Sequence, residues 1–464
     1  MTLLVGLLVW LLLVALIANI VRRLPWLPGL VVAVGLGLAL WYLWRAPLVG
    51  EVELLGRTID LARSNSFLGF TLVLSPVGRG AVFILFIWGA LFALATTWTN
   101  ADRVLFPTIP LILAALVLAL SSQPLLWASL WLVVAVILMA FAAQGATPRL
   151  ARAALRTLLA PTLAFPLFLF AAWVLNQPAL AATDPALWAT AWRALVIALV
   201  ILLTPVPLHG WISGLGEHAP PFAAAFIVGV WQITVYALAR QILLAYPDMV
   251  QYADPGRLLP ILAIIQMVWA GFFGLSSRRL GQFWGYLLLW DYGAFLLLWS
   301  LSGESGTEAL VWLALARALV LIMAAAGLQT LNERFGENTP YGSLRGASER
   351  LPFATIGFLV GALSLLGWPL GALFSVRLAA FRLAEANQTN IFLWAMLALV
   401  LMTLGIVRVL SVVVRPLADT QMRREAQALV WLVVLLLLVG AVLALRPGLL
   451  DPVVVPITRW MTRM

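Results

Sequence analysis

The chain contains no lysine and no cysteine, only two histidines, and charged residues at just 10% of its 464 positions. Without cysteine there is neither a disulfide framework nor a thiolate metal site. Without lysine, all 28 basic residues are arginine. A guanidinium stays protonated at any accessible pH, so no buried lysine is on hand to lose its proton in a relay. The shortage of charge goes with 64% hydrophobic residues, whereas a soluble domain has about half apolar and about a quarter charged. No aqueous fold can bury that excess. The net charge of +10 does not describe a nucleic-acid surface, because the arginines stand one to three at a time between apolar stretches instead of along a basic face. Nucleic acid is therefore excluded as a partner. No phosphate-cradling glycine loop, metal-ligand cluster or nucleophile constellation is recognisable. Neither a cofactor nor a catalytic site of the chain's own is expected.

The apolar residues come in solid runs of about twenty, the length a helix needs to cross about 30 Å of hydrocarbon. A transmembrane barrel would show short alternating segments, and open sheet edges are not tolerated in lipid. The fold class read from this is all-α: a polytopic membrane protein in a lipid bilayer, with about fourteen transmembrane helices. The spans fall near 2–20, 25–44, 77–98, 104–122, 125–145, 153–175, 185–208, 220–244, 258–275, 281–301, 307–329, 351–380, 389–413 and 427–445. The first run has no charged segment before it and no small-residue cleavage site after it, which marks a retained helix. The 45–76 connection mixes Gly, Arg, Glu and Ser and is expected to form an ordered extracytoplasmic cap. The 330–350 stretch, with Glu333, Glu337, Glu349 and Pro340, is expected to be a solvated cytoplasmic linker. Sorting the loop arginines gives fourteen on one side, including Arg22, Arg23, Arg278 and Arg279, against ten on the other. By the positive-inside rule both termini lie outside the cytoplasm, in what reads as a prokaryotic cell membrane.

Two spans are interrupted. The seventh runs into Leu203-Thr204-Pro205-Val206-Pro207, and the twelfth into Leu366-Gly367-Trp368-Pro369-Leu370-Gly371. Proline lacks the backbone N–H and glycine relaxes φ, so both helices should open there. Spans 4 to 8 and 9 to 13 would then form two inverted five-helix repeats, each broken in its fourth helix, a pattern of transporters. Two unrelated proline kinks are the alternative. The corresponding division is 1–103 for the first three helices, 104–247 and 248–413 for the repeats, and 414–464 for the last helix and tail.

One segment carries a family resemblance. Pro207, His209, Trp211 and Ile212, then Ala219, Pro220, Ala225 and Phe226, fall in register with a P-x-H-x-W-(L/I) … A-P-x-x-x-x-A-F segment. That segment joins helices 7 and 8 in the antiporter-like subunits of respiratory complex I (NADH-quinone oxidoreductase chains L, M and N) and of multi-subunit cation/proton antiporters. The stretch from Phe358 to Pro369 resembles the family's broken helix 12, and Phe374-Ser-Val-Arg377 stands where the family has F-x-x-K. The resemblance covers spans 3 to 14. It implies a membrane subunit of an NADH-quinone oxidoreductase-type or related ion-translocating complex, with other membrane and peripheral subunits as partners. Any nicotinamide, flavin or iron–sulfur centre would belong to those partners.

The family's chemistry is less well matched. Its polar axis uses a glutamate on helix 5 and lysines on helices 7, 8 and 12. Here residues 104–183 contain no Asp or Glu, the helix 7 lysine position falls near Leu202, the helix 8 position at Gln232 and the helix 12 position at Arg377. The proton path is expected to be degenerate. Within the spans there remain Asp291, Arg193, Arg317, Arg377 and Arg408. Arg193 and Arg408 lie toward helix ends, within reach of the interface. Asp291 and Arg317 lie mid-span, where an unpaired charge costs several kcal/mol. An Asp291–Arg317 or Asp291–Arg377 pair neutralises them, as a structural ion pair or a residual ion path. His209 titrates near neutral pH and could carry protons; equally, His209, Glu217 and His218 could bind backbone groups freed by the prolines. Two further functional readings stay open, a non-transporting structural paralogue in such a complex and a stand-alone secondary transporter.

Overall fold

The computed structural model describes residues 3–45, 51–54, 57–60, 65–67, 70–99, 103–145, 151–177, 179–252, 254–301, 306–336, 339–387, 389–416 and 425–462. Three helices come first: α1 (Leu3–Ile20), α2 (Leu27–Arg45) and α3 (Pro76–Thr97). Next are α4 (Leu105–Ser121), α5 (Ala128–Gln144), α6 (Ala151–Leu175), the single turn α7 (Leu180–Thr183), the half-helices α8 (Pro185–Leu202) and α9 (Gly210–His218), and α10 (Pro221–Ala245). The second half contains α11 (Pro255–Ser276), α12 (Leu280–Leu301), α13 (Thr307–Phe335), the short α14 (Ala347–Arg350), the half-helices α15 (Pro352–Leu366) and α16 (Phe374–Asn387), and α17 (Thr389–Val413). The chain ends in α18 (Gln427–Leu445) and α19 (Asp451–Thr462). Among the described residues nine helices are long and apolar enough to cross a membrane. Four shorter apolar helices and α12 bring the crossings to the expected fourteen, with the pairs α8/α9 and α15/α16 each filling one crossing.

Local chemistry sets the helix starts. Ser75 accepts from the Gly78 amide at 3.0 Å ahead of Pro76, and Asp184 accepts from Leu187 at 3.0 Å ahead of Pro185. Each places a proline in the first turn, where the missing N–H is not needed. Glu425 accepts from the amides of Phe353 and Ala354 at 3.0 and 2.9 Å. A carboxylate thus closes the positive end of α15.

Packing separates core from periphery. The 25-residue α10 is buried at every position from Pro221 to Ala239, and α13 along most of its length. On α17, by contrast, Leu393, Leu397, Val400, Leu404 and Val407 are exposed at alternating spacings of four and three, the stripe of a helix facing lipid. The two halves repeat their neighbours: α4 packs on α5 and α6 on α8, as α11 packs on α12 and α13 on α15.

Of three connections, only the 330–350 stretch differs from the sequence expectation. Within 45–76 the described pieces form antiparallel hairpins, β1 (Glu51–Leu54) with β2 (Arg57–Asp60) and β3 (Asn65–Phe67) with β4 (Phe70–Leu72). β4 also pairs with β5 (Ser122–Gln123), so this connection is sheet and not a span. The 330–350 stretch is not a solvated linker: α13 continues to Phe335, and Tyr341 and Leu344 are buried against the turn between α11 and α12. There Leu280 donates to the Thr339 carbonyl at 3.0 Å, and the Tyr341 and Ser277 hydroxyls share a 2.7 Å hydrogen bond. Burial pushes the Tyr341 hydroxyl up to about 12. Glu337 lies outside the described residues. Third, the tail folds into α19, whose Trp460 ring lies 4.5 Å from the Arg79 guanidinium carbon.

Candidate functional site

The two breaks position the polar groups of the core. In the first, α8 ends at Leu202, Thr204 adopts φ +49°, and Pro205 and Pro207 carry the chain to a second half-helix over residues 210–218. The family-like segment after Pro207 is thus largely helical instead of a simple connection, because its glycines leave α9 slim enough to lie against α12. A Cβ on Gly216 would stand 2.2 Å from the Gly285 Cα, and one on Gly285 would stand 2.4 Å from the Ser213 carbonyl oxygen. In the second break α15 ends on Gly367 at φ +81°, and past Pro369 Leu370 adopts φ +67° before α16 begins.

Each break frees carbonyl groups that must be satisfied inside the protein. The Leu202 carbonyl accepts from the Trp231 indole of α10 at 3.2 Å. The Leu365 carbonyl accepts from Arg377 Nε of α16 at 3.2 Å. A neutral donor closes the first break and a cation the second. A cation also suits the negative end of α15.

Around that second closure lies a charged centre. Asp291 of α12 is fully buried and each carboxylate oxygen has its own partner: Oδ2 accepts from Arg317 Nε of α13, and Oδ1 from Arg377 Nη2. The two arginines are 0% and 1% exposed. Arg317 Nη1 donates to Gln232 Oε1 of α10, whose Nε2 donates to the Tyr292 carbonyl at 2.8 Å. Aromatic rings insulate the charges: Arg317 faces Phe295 and Trp88 at 5.7 and 5.9 Å, and Arg377 faces Trp290 at 5.6 Å. Such faces attract cations where water is excluded.

The sequence left open which arginine pairs with Asp291; the structure engages both. Gln232 belongs to the first half by sequence yet bonds to the centre in the second, because buried α10 packs on both α12 and α13. His209 stands elsewhere, at the start of α9, with its ring edge-on to Trp269 at 5.6 Å. Glu217, at the end of α9, accepts from Gln282 Nε2 at 3.0 Å. Arg193 is exposed, and exposed Arg408 donates to the Leu275 carbonyl at 2.6 Å. Sequence reasoning passed over Tyr292 and Thr204. Both hydroxyl-bearing residues are fully buried. The position of Tyr292, next to Asp291 and mid-span, was the available signal.

A chain of respiratory complex I from Thermus thermophilus superposes with a TM-score of 0.67 at 19% identity, over 97% of this chain and 99% of that one. A chain of the archaeal membrane-bound sulfane sulfur reductase gives 0.78 at 15% identity, over 99% and 98%. A chain of the Mrp complex from Dietzia sp. gives 0.75 at 17% identity, over 100% and 97%. This is the antiporter-like subunit fold. Curated relatives agree with it. NADH-quinone oxidoreductase subunit N of Ectopseudomonas mendocina is 27% identical over 219 residues, 45% of this chain and 42% of that protein. Subunit M of Rickettsia prowazekii is 22% identical over 181 residues, 38% of this chain and 36% of that protein. The matches span about two fifths of these relatives' length. No family model matches the chain. Within the antiporter-like fold, the arginine–aspartate centre sits where the second broken helix meets α12 and α13.

Proposed function

We propose that the protein is an antiporter-like membrane subunit of a respiratory NADH-quinone oxidoreductase-type or related ion-translocating complex, with a degenerate proton path of its own. What carries the reading is the Arg317–Asp291–Arg377 centre, a costly set of charges retained beside the second break. The fold, matched over nearly the full chain, supports it. The degeneracy rests on composition. There is no lysine anywhere and no acid in residues 104–183, and the Leu202 position offers a capped carbonyl in place of a proton carrier. In this reading residues 104–247 and 248–413 are the two repeats, and any ion path runs past Asp291. The partners are other membrane and peripheral subunits. The arginine distribution supports placing both termini outside the cytoplasm of a prokaryotic cell membrane.

A structural paralogue without ion flux is the second reading. It is favoured by the direct bonds that clamp Asp291 between two guanidiniums that cannot give up protons. Affinity purification from native membranes with mass spectrometry tests the assembly. The expected outcome is co-purification with other membrane subunits and a hydrophilic arm. A protein that purifies alone and takes up solute when reconstituted would overturn it.

A further inference from the structure

The second break presents groups that lipid cannot satisfy. Residues 368–371 form a turn closed by the Gly371 amide, which donates to the Trp368 carbonyl at 3.0 Å, with Pro369 and Leu370 at its tip. Leu370 adopts φ +67° there, the left-handed region in which a Cβ is crowded and glycine is the usual occupant. The leucine is nevertheless 72% exposed, and Trp368 beside it 43% exposed. Glycine at this position would relax the backbone, so the strain is retained for a side chain that little of this chain covers. Depth makes the turn more costly still. α15 and α16 have 15 and 14 residues, so each runs about 20 Å away from the turn, which places it inside a hydrocarbon layer about 30 Å thick. The Leu370 N–H and the carbonyls of Pro369 and Leu370 have no hydrogen-bond partner among the described residues. Beside the turn a cleft opens between α13, α15 and α18, with Met323, Ser364, Leu370, Ala372 and Gly440 in its walls. Ser364 is 4% exposed, and its hydroxyl also has no partner among the described residues.

Irregular backbone at membrane depth is tolerated where protein covers it or water fills the space beside it, and not against acyl chains. Apart from Ser364 the walls of the cleft are apolar, and an apolar space stays dry. Protein is the cover that remains. We propose that the Trp368–Gly371 turn is a docking knob for a membrane-spanning helix of a partner subunit, which seats Leu370 among small residues and brings a neutral hydroxyl or carboxamide side chain to Ser364 and the free backbone groups of the turn. Small residues let two helices approach closely in lipid and leave a slot for a projecting leucine. A neutral polar group suits the cleft, because a charged one would meet no counter-charge in its walls. The inference rests on the functional reading, which supplies the partner, and names the surface on which that partner sits.

Because the chain has no cysteine, a spin label can be attached at Leu370→Cys alone. Its collisions with oxygen, which partitions into lipid, and with a water-soluble nickel chelate are measured in nanodiscs, for the affinity-purified complex and for the full chain after dissociation from it. The label should be open to oxygen in the dissociated chain and closed to both reagents in the complex. A photo-crosslinker at the same position should land on one membrane-spanning segment of another subunit. Leu370→Gly removes the knob together with its strain. The Tm of the dissociated chain should hold or rise, while recovery of the crosslinked subunit falls severalfold. In an intact complex, a label that stays open to oxygen or to the nickel chelate would overturn the proposal and leave the functional reading standing. Full recovery of the subunit with Leu370→Gly, or crosslinks only to a second copy of this chain, would do the same. A protein that is never found with another subunit would overturn both.

Discussion

Two guanidiniums on one carboxylate form an arrangement whose energy depends on all three charges together. Removing one member of a buried ion pair leaves its partner uncompensated, at a cost of about 3–5 kcal/mol. Asp291→Asn leaves both Arg317 and Arg377 in that state and should destabilise by at least that range. Arg317→Gln added to Asp291→Asn removes one of the stranded charges and should recover part of the loss. The triple variant with Arg377→Gln is neutral throughout and should recover most of it. Denaturant unfolding in detergent measures the series, and the three sites are close enough that strong non-additivity is expected. A triple variant no more stable than Asp291→Asn would show that the charges are not what holds these residues together.

At the scale of elements, the half-helices matter because they bring cappable carbonyls and polar side chains into the core without exposing backbone to lipid. Their placement depends on one close crossing, α9 on α12, where Gly216 and Gly285 leave no room for a side chain. Gly285→Ala sets a methyl group against the Ser213 carbonyl and should cost about 1–3 kcal/mol through forced displacement of α9. Gly37→Ala has open space around its Cβ position and serves as the control expected to be near neutral. Thermal unfolding of the two variants side by side checks this; equal stability would mean that the crossing tolerates separation. The breaks themselves were legible, because Pro205, Pro207, Gly367 and Pro369 announce them chemically. The half-helix α9 was not, since its run of Gly, Ser, Glu and His lacks the apolar length that marks a span. Its helicity comes from packing against α6 and α12. The docked Tyr341 segment escaped notice for the same reason: its glutamates and proline suggest solvent, while its anchoring hydrogen bonds to the α11–α12 turn are tertiary.

For the molecule as a whole, the order and limits of the crossings could be read from hydropathy, because lipid enforces long apolar runs whatever the fold. Which helix lies at the centre could not. α10 and α17 have the same 25-residue length and similar apolar composition, yet one is buried at every position from Pro221 to Ala239 and the other carries a lipid-facing stripe. The link from Gln232 to Arg317 follows from that central placement and joins the first half to the charged centre of the second. The account's central claim is that ion movement through this chain, where it occurs, depends on the Asp291 centre and not on a relay in the first half. Proton flux into vesicles containing the purified protein or its complex tests it, comparing wild type, His209→Ala and the neutral Asp291→Asn/Arg317→Gln/Arg377→Gln variant. The predicted result is flux unchanged by His209→Ala and lost in the triple variant. Flux that survives the triple change and disappears with His209→Ala would contradict the account.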